Sequence, residues 1–348
     1  MRARTITDPD RFALEAGPLL AENEARHNLI LGICSNLRDH PEVFDRFHLW
    51  VVDGKDGPVA AAVLTPPHNL VVARPRVEGA IEALADAVHE EGIRLPGVGG
   101  ALPEARRFAA RWQELTGARV RTRMAQRIFR LTAVRPVRSA SGAMRWATPS
   151  DRDLVIGWYG DFSTESLPEE QRDAASASRE RFIDLRLRRE GGGIAMWEDG
   201  GPVSLAGYGS RTPNGMRIGP VYTPPEYRRR GYATALVAGL SRALLEDGMR
   251  FCFLFTDTAN PTSNRIYMDI GYRPVCDAVD LGFDYAVTPE GTRLRYLAGR
   301  SPTGRGRPGS PSRAARSLRP RSSPSAWSSK VTRISSSGRR FSTRAMCS

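Results

Sequence analysis

The sequence predicts an α/β protein with two domains built to one plan. Three observations carry this. At 348 residues the chain is long enough for two hydrophobic cores. The order helix or helices, three strands, helix, strand, helix, strand can be read twice along it. Between the two readings lies the stretch TAVRPVRSASGA at 132–143, where Pro, Ser and Gly cluster as they do in linkers. The expected divisions are therefore a first domain at 1–132, a linker at 133–143, a second domain at 144–290 and a tail at 291–348. The halves share a pattern and not a residue-by-residue repeat.

In the first half, residues 1–47 read as largely helical after a short start, with Leu14, Leu19, Leu20, Leu29, Ile30, Leu31 and Ile33 as apolar positions. Strands are expected at 48–52, 59–64 and 69–73, with a turn at Asp56-Gly57 between the first two. A helix follows at 77–91 through Val77, Ile81, Leu84 and Val88. A short strand fits 93–98, and the glycines Gly97, Gly99 and Gly100 read as a turn. Another helix fits 103–116, where Ala105, Phe108, Ala109, Trp112 and Leu115 share a face, and 120–131 closes the half as a strand.

The second half opens with strand-like 144–147 and helical patterns at 150–163 and 174–189. Strands fit 193–198, 203–210 and 216–223, with turns at Asp199-Gly200-Gly201 and Asn214-Gly215. A long helix at 229–247 places Ala233, Leu236, Val237, Leu240 and Leu244 on one face and ends at Gly248. The run 251–256 is apolar throughout, the mark of a buried central strand. Asn260-Pro261 starts a helix that Gly271 ends, and 272–275 and 279–283 fit closing strands.

Charge and cysteine content narrow the class. The net charge of +13 resides in the tail: residues 301–348 hold ten arginines, Lys330 and no acid, which leaves the body near +2. A nearly neutral body argues against nucleic acid as its partner. The tail is too poor in apolar residues to offset the entropy of ordering, so disorder is expected. Three readings of it stay open: a solvated tail, an out-of-frame read of a GC-rich gene, and a nucleic-acid arm. No run of ~18 apolar residues suggests a bilayer span, and no signal peptide is read after Arg2 and Arg4. Cys34, Cys252, Cys276 and Cys347 form no metal or disulfide pattern, which fits a reduced cytoplasm.

The stretch GPVYTPPEYRRRGYATALVAG, 219–239, carries the chemistry. A strand runs into Pro224 and Pro225, which donate no ladder hydrogen bond, then into Arg228, Arg229, Arg230 and Gly231, then into a helix. The start of a helix offers unpaired N–H donors and positive potential, and Gly231 lets a phosphate approach the backbone. Glu226 fits an ordinary acid near a helix start.

Arg228 to Ala233 fit R-x-x-G-x-[GA], and further on stands Asn260-Pro-Thr-Ser263-Asn264-Arg-Ile-Tyr267-Met-Asp-Ile-Gly271-Tyr272. Over 144–285 the chain resembles the GNAT superfamily of N-acetyltransferases. The resemblance implies tandem GNAT-like domains, each a mixed, mostly antiparallel sheet flanked by helices, and acetyl-CoA as acyl donor without a metal. It implies that the backbone of Val221, Tyr222 and Thr223 holds the pantetheine arm. The amides across Arg229, Arg230, Gly231, Tyr232, Ala233 and Thr234 would cradle the pyrophosphate. Asn260 would touch the CoA arm, and Tyr267 would sit near the sulfur and protonate it. A phenol of pKa ~10 can give its proton to a departing thiolate of pKa ~8.5. Asn260 also fits a helix N-cap before Pro261, and Tyr267 also fits a core face with Ile266 and Ile270.

The expected function is direct acetyl transfer to a primary amine, small or peptidic; the alternative is a non-catalytic acetyl-CoA-binding regulator. Glu165, Glu198 and Asp257 are open as general base. The first half has no R-x-x-G-x-[GA] and reads as a degenerate copy that shapes the substrate cleft.

Overall fold

The computed structural model describes residues 1–167, 172 and 176–286. The tail expected at 291–348, with Cys347, lies outside them. The first half runs β1 (Arg2–Ile6), α1 (Pro9–Ala21), α2 (Asn28–Asp39), β2 (His48–Gly54), β3 (Gly57–Leu64), β4 (Leu70–Val72), α3 (Ala80–Glu90), β5 (Gly97–Ala101), α4 (Leu102–Thr116) and β6 (Arg119–Leu131). The second half runs β7 (Ala143–Trp146), α5 (Arg152–Ser166), α6 (Ser176–Leu187), β8 (Gly192–Glu198), β9 (Pro202–Gly209), β10 (Gly215–Tyr222), α7 (Tyr232–Glu246), β11 (Phe251–Asp257), α8 (Pro261–Ile270) and β12 (Arg273–Asp284). The two orders are the same, as the doubled sequence pattern predicts.

Local chemistry sets the element ends. Asp8 caps α1 by accepting from the N–H groups of Asp10 and Arg11, with Pro9 in the first turn. Gly117 and Gly271 end α4 and α8 in the left-handed conformation. The expected elements hold with four corrections. The short start is a strand, β1, paired with β2. The glycines from Gly97 to Gly100 belong to buried strand β5 and not to a turn: a Cβ at Gly97 would lie 2.1 Å from the Leu281 carbonyl oxygen, so glycine is what allows β12 to come so close. Helix α7 starts at Tyr232, because Arg229 (φ 64°) and Gly231 (φ 86°) take left-handed backbone. The two closing strands are one, β12, with register shifts between Pro274 and Cys276 and between Asp280 and Leu281.

All twelve strands join one sheet in the order β1-β2-β3-β4-β5-β12-β6-β11-β10-β9-β8-β7. Among the described residues, only β4–β5 and β10–β11 pair in parallel. The last strands of the halves are exchanged: β12 pairs with β5 of the first half, and β6 pairs with β11 of the second. The cores follow the exchange. Val279, Leu281 and Phe283 of β12 pack with α3 and α4, while Phe129 and Leu131 of β6 pack with α7, α8 and Tyr267. Helices α1 and α2 cover the other face of the first half, and α5 and α6 the other face of the second.

Candidate active site

Strands β10 and β11 pair only at Gly215 with Phe251, Met216 with Cys252 and Arg217 with Phe253. Beyond that point they part. β10 stays on β9 through Val221–Ala206 and Tyr222–Leu205, and β11 stays on β6 through Asp257–Gln126. Two facing backbone edges are left without each other as ladder partners, and a wedge opens between them. In the first half, β4 and β5 pair at Leu70–Val98 and Val71–Gly99, the Cβ position of Gly100 lies 3.2 Å from the Val72 carbonyl oxygen, and β5 ends at Ala101.

The register of β10 shifts between Ile218 and Val221, so Gly219 and Pro220 bulge opposite Gly207. Pro220 has no N–H, which leaves Gly219, Val221 and Tyr222 as the donors of this stretch. Buried Ser204 donates to the Tyr222 carbonyl at 3.0 Å and lies 2.8 Å from the Thr223 hydroxyl. It fixes the strand end where Val221, Tyr222 and Thr223 border the wedge. Sequence reasoning passed over Ser204; the signal was a lone hydroxyl in the apolar strand around Leu205 and Ala206.

After the strand, Arg228 folds back. Its Nε donates to the Thr223 carbonyl at 2.9 Å, and its Nη2 meets Glu165 at 2.6 Å. Arg229, Arg230 and Gly231 are exposed. The first hydrogen bond of α7 runs from the Ala235 N–H to the Gly231 carbonyl at 3.0 Å, and no side chain caps this end. The N–H groups of Tyr232, Ala233 and Thr234 therefore precede the helical ladder. A Cβ at Gly231 would meet only the Ala140 side chain, at 3.8 Å. Tyr232 turns its ring inward and donates to Asp199, which also accepts from Ser141. These bonds, that from Ser141 first, hold Asp199 below the usual carboxylate range.

Across the wedge, Asn260 caps α8 by accepting from the Ser263 N–H at 3.1 Å. Asn264, quoted in the motif without a role, joins strand to helix: it accepts from Thr256 at 2.6 Å and donates to the carbonyls of Asp257 and Asn260. Tyr267 is 9% exposed and packs edge-on to Tyr272, ring centroids 5.9 Å apart. Its hydroxyl has no hydrogen-bond partner among the described residues. Burial pushes its pKa up to about 12, so it is a proton donor throughout the neutral range.

The three base candidates are engaged elsewhere. Glu165 holds Arg228 and accepts from the Tyr222 hydroxyl at 3.2 Å. Glu198 pairs with Arg145 at 2.6 Å. Asp257 caps the next turn through the Ala259 N–H at 2.8 Å. Among the described residues, no cluster of His, Cys, Asp or Glu could hold a metal ion, and no helix is long and apolar enough to cross a membrane.

Residues 154–272 match the sequence model of the acetyltransferase (GNAT) family. No curated protein matches the chain. Among solved structures, a Drosophila protein is similar at a TM-score of 0.59 with 13% identity, covering 81% of this chain and 98% of its own. A tandem GNAT protein from the clavulanic acid biosynthesis pathway gives 0.52 with 14% identity, 82% and 100%. A GCN5-related N-acetyltransferase from Sphaerobacter thermophilus gives 0.50 with 18% identity, 81% and 95%. At these identities the likeness is one of fold. The match and the wedge fall on the same residues of an α/β fold. Residues 154–272 are thus similar to the GNAT acetyltransferase family within a fold like that of a tandem GNAT protein, and that family implies transfer of an acyl group from acetyl-CoA.

Proposed function

We propose that the second half binds acetyl-CoA in the wedge and transfers its acetyl group directly to a primary amine. The observation that carries this is the parting of β10 from β11 beside an uncapped helix start. The open amides of Tyr232, Ala233 and Thr234, with Arg229, Arg230 and Gly231 turning the backbone outward, suit a diphosphate. Backbone groups of Val221, Tyr222 and Thr223 suit an extended amide-bearing arm laid along the freed edge of β10. Asn260, capped through its Oδ1, keeps its amide nitrogen for that arm.

The amine attacks the thioester carbon. A backbone N–H of Gly219, Val221 or Tyr222 stabilises the oxyanion, and Tyr267 gives its proton to sulfur as the C–S bond breaks. Glu165, Glu198 and Asp257 are committed to other partners, which supports proton removal from the amine through water. The same commitment favours a second reading, a regulator that binds acetyl-CoA without turnover. The first half, which has no R-x-x-G-x-[GA] stretch, serves as a non-catalytic partner. Buried free Cys34 and Cys252 suit a reducing cytoplasm.

The test measures acetyl-CoA binding by calorimetry and CoA release over a panel of amines. Binding with turnover supports the enzyme, binding without turnover supports the regulator, and absence of binding refutes both.

A further inference from the structure

The sheet face opposite α7 carries a cluster that the donor site does not use. Faces are fixed by packing: Met216, Ile218, Ala206 and Tyr208 lie with α7, while Leu205, Tyr222, Ile194 and Met196 lie with α5 and α6. Arg217 alternates with Met216 and Ile218, so it belongs to the α5/α6 face. Its partner across the ladder is Gly209, and the partner of Gly209 on its other side is Gly192. The guanidinium of Arg186, from α6, lies on these two glycines: its Nη1 is 1.5 Å from the place a Cβ would take at either. Both glycines have φ values that side chains rarely adopt, 149° and 155°. Arg186 therefore sits where a cross-strand neighbour of Arg217 would project, close enough for the two charges to repel.

Neither has a carboxylate partner among the described residues. Arg186 is 5% exposed, donates to the Gly191 carbonyl and covers the Phe182 ring at 4.4 Å. Arg217 reaches only the Ser210 hydroxyl, at 3.3 Å. Burial pushes Arg186 down, to about 10, and Arg217 down as well, and both stay charged at neutral pH. Other half-buried arginines of this chain have acids, as at Arg26–Glu104 and Arg145–Asp151. A buried cation beside a half-buried one, with no acid, is unfavourable until an anion joins them.

The next row of the same face leads to the reaction centre. Gly207 lies there beside the Gly219–Pro220 bulge. The Tyr159 hydroxyl and the Gly219 carbonyl oxygen lie 2.6 and 2.9 Å from the Gly207 Cβ position. One strand row is roughly 7 Å, within the span of a small amino acid between a hydrogen-bonded carboxylate and its amine. The diphosphate end of the donor lies at the start of α7, on the other face, so the α5/α6 face is the one left for an acceptor.

We propose that the acceptor amine carries a carboxylate, which Arg186 and Arg217 bind while Tyr159 and the β10 bulge receive its amino end. This rests on the acetyltransferase reading for the amine. The carboxylate site itself stands on the two arginines and can be tested without turnover. Guanidinium forks suit a planar carboxylate bidentately.

The experiment titrates the full chain, with and without coenzyme A, using N-acetylglycine, N-acetyl-β-alanine and N-acetylleucine, each against its primary amide. Stabilisation against heating is the readout. At least one acid is expected to stabilise the wild type tenfold more tightly than its amide. Arg217→Gln should abolish the difference, and Arg217→Lys should restore part of it. Arg186→Gln leaves the glycine shelf uncovered, so Arg217 carries the test. Equal response to acids and amides, unchanged discrimination in Arg217→Gln, or tighter binding of inorganic phosphate than of every acid would overturn the proposal. Carboxylate binding in a protein that acetylates no amine would sink the acetyltransferase reading, and the acceptor role with it, and leave the carboxylate site standing.

Discussion

Gly231 and Gly79 occupy equivalent places in the two halves, and together they test the donor site. Each precedes the first residue of the helix after a parallel strand, with φ of 86° and 79°. Alanine at either must hold left-handed backbone, at a cost of ~1–2 kcal/mol. Neither adds a hard clash: the nearest atoms to the new Cβ are the Ala140 Cβ at 3.8 Å and the flexible Met1 Cε at 3.1 Å. Both variants should therefore melt a few degrees below the wild type and by similar amounts. Their response to coenzyme A should differ. Ligand at a hundred times Kd stabilises the fold by ~2.7 kcal/mol. At Gly231 the added methyl occupies the approach to the amides of Tyr232, Ala233 and Thr234. A tenfold weaker Kd would remove ~1.4 kcal/mol of that protection. Gly79→Ala, in a half without the arginine-glycine turn, should keep all of it. The assay is thermal unfolding across a coenzyme A titration. Equal protection of Gly231→Ala and the wild type would show that no diphosphate seats on that helix start.

Three further outcomes are expected. Tyr267→Phe should lower kcat by about 10²- to 10⁴-fold with little change in melting temperature, because the lost hydroxyl bonds no described protein group; an unchanged kcat removes it as the acid. Glu24 accepts from the Thr212 hydroxyl, the Asn214 N–H and the Asn214 side-chain amide, tying the first half to the β9–β10 turn. Glu24→Ala should cost ~2–4 kcal/mol in denaturant unfolding, and a loss below ~0.5 kcal/mol would show that this tie is solvated. His27 faces the Leu20 carbonyl through Nδ1 and the Arg74 N–H through Nε2, which sets a neutral Nδ1–H ring. Burial, ahead of all else, lowers its pKa in the fold. The stability from His27 is thus complete above the unfolded value of ~6.5 and is lost as pH falls through the folded value, at up to ~1.4 kcal/mol per pH unit. Melting curves from pH 7.5 to 5 should be shallower for His27→Gln; an equal slope would show that His27 does not titrate.

Much of this was legible in the sequence because local rules carried it. The αL glycines, the Asn260-Pro261 start and the apolar run from Phe251 each act within a few residues. The arginine-glycine turn after β10 and the Tyr267 helix followed from the same short-range chemistry. What was hidden depends on partners far away in the chain. Gly97, Gly99 and Gly100 resemble a turn until β12 lies against them, at a separation no window along the sequence spans. The commitment of Glu165 to Arg228 and Tyr222 needs α5 laid on β10. Arg186 and Arg217 look like two of many arginines, and only the glycines beneath them mark the pair.

The exchange of final strands gives the first half a part in the site although it lacks the arginine-glycine turn. β11 forms one wall of the wedge, and the edge turned away from the wedge is bonded to β6 from Cys252 to Asp257. Phe129 and Leu131 of that same strand fill the core in which Tyr267 and Tyr272 stand edge to face. The wall can leave β10 without fraying because its other edge is held by a strand from the opposite half. β12 in turn fills the gap that β6 leaves beside β5 and supplies Val279, Leu281 and Phe283 to the first core. Each half thus lends the other a strand it needs, and β6 of the first half backs the wall from which the second half's wedge opens.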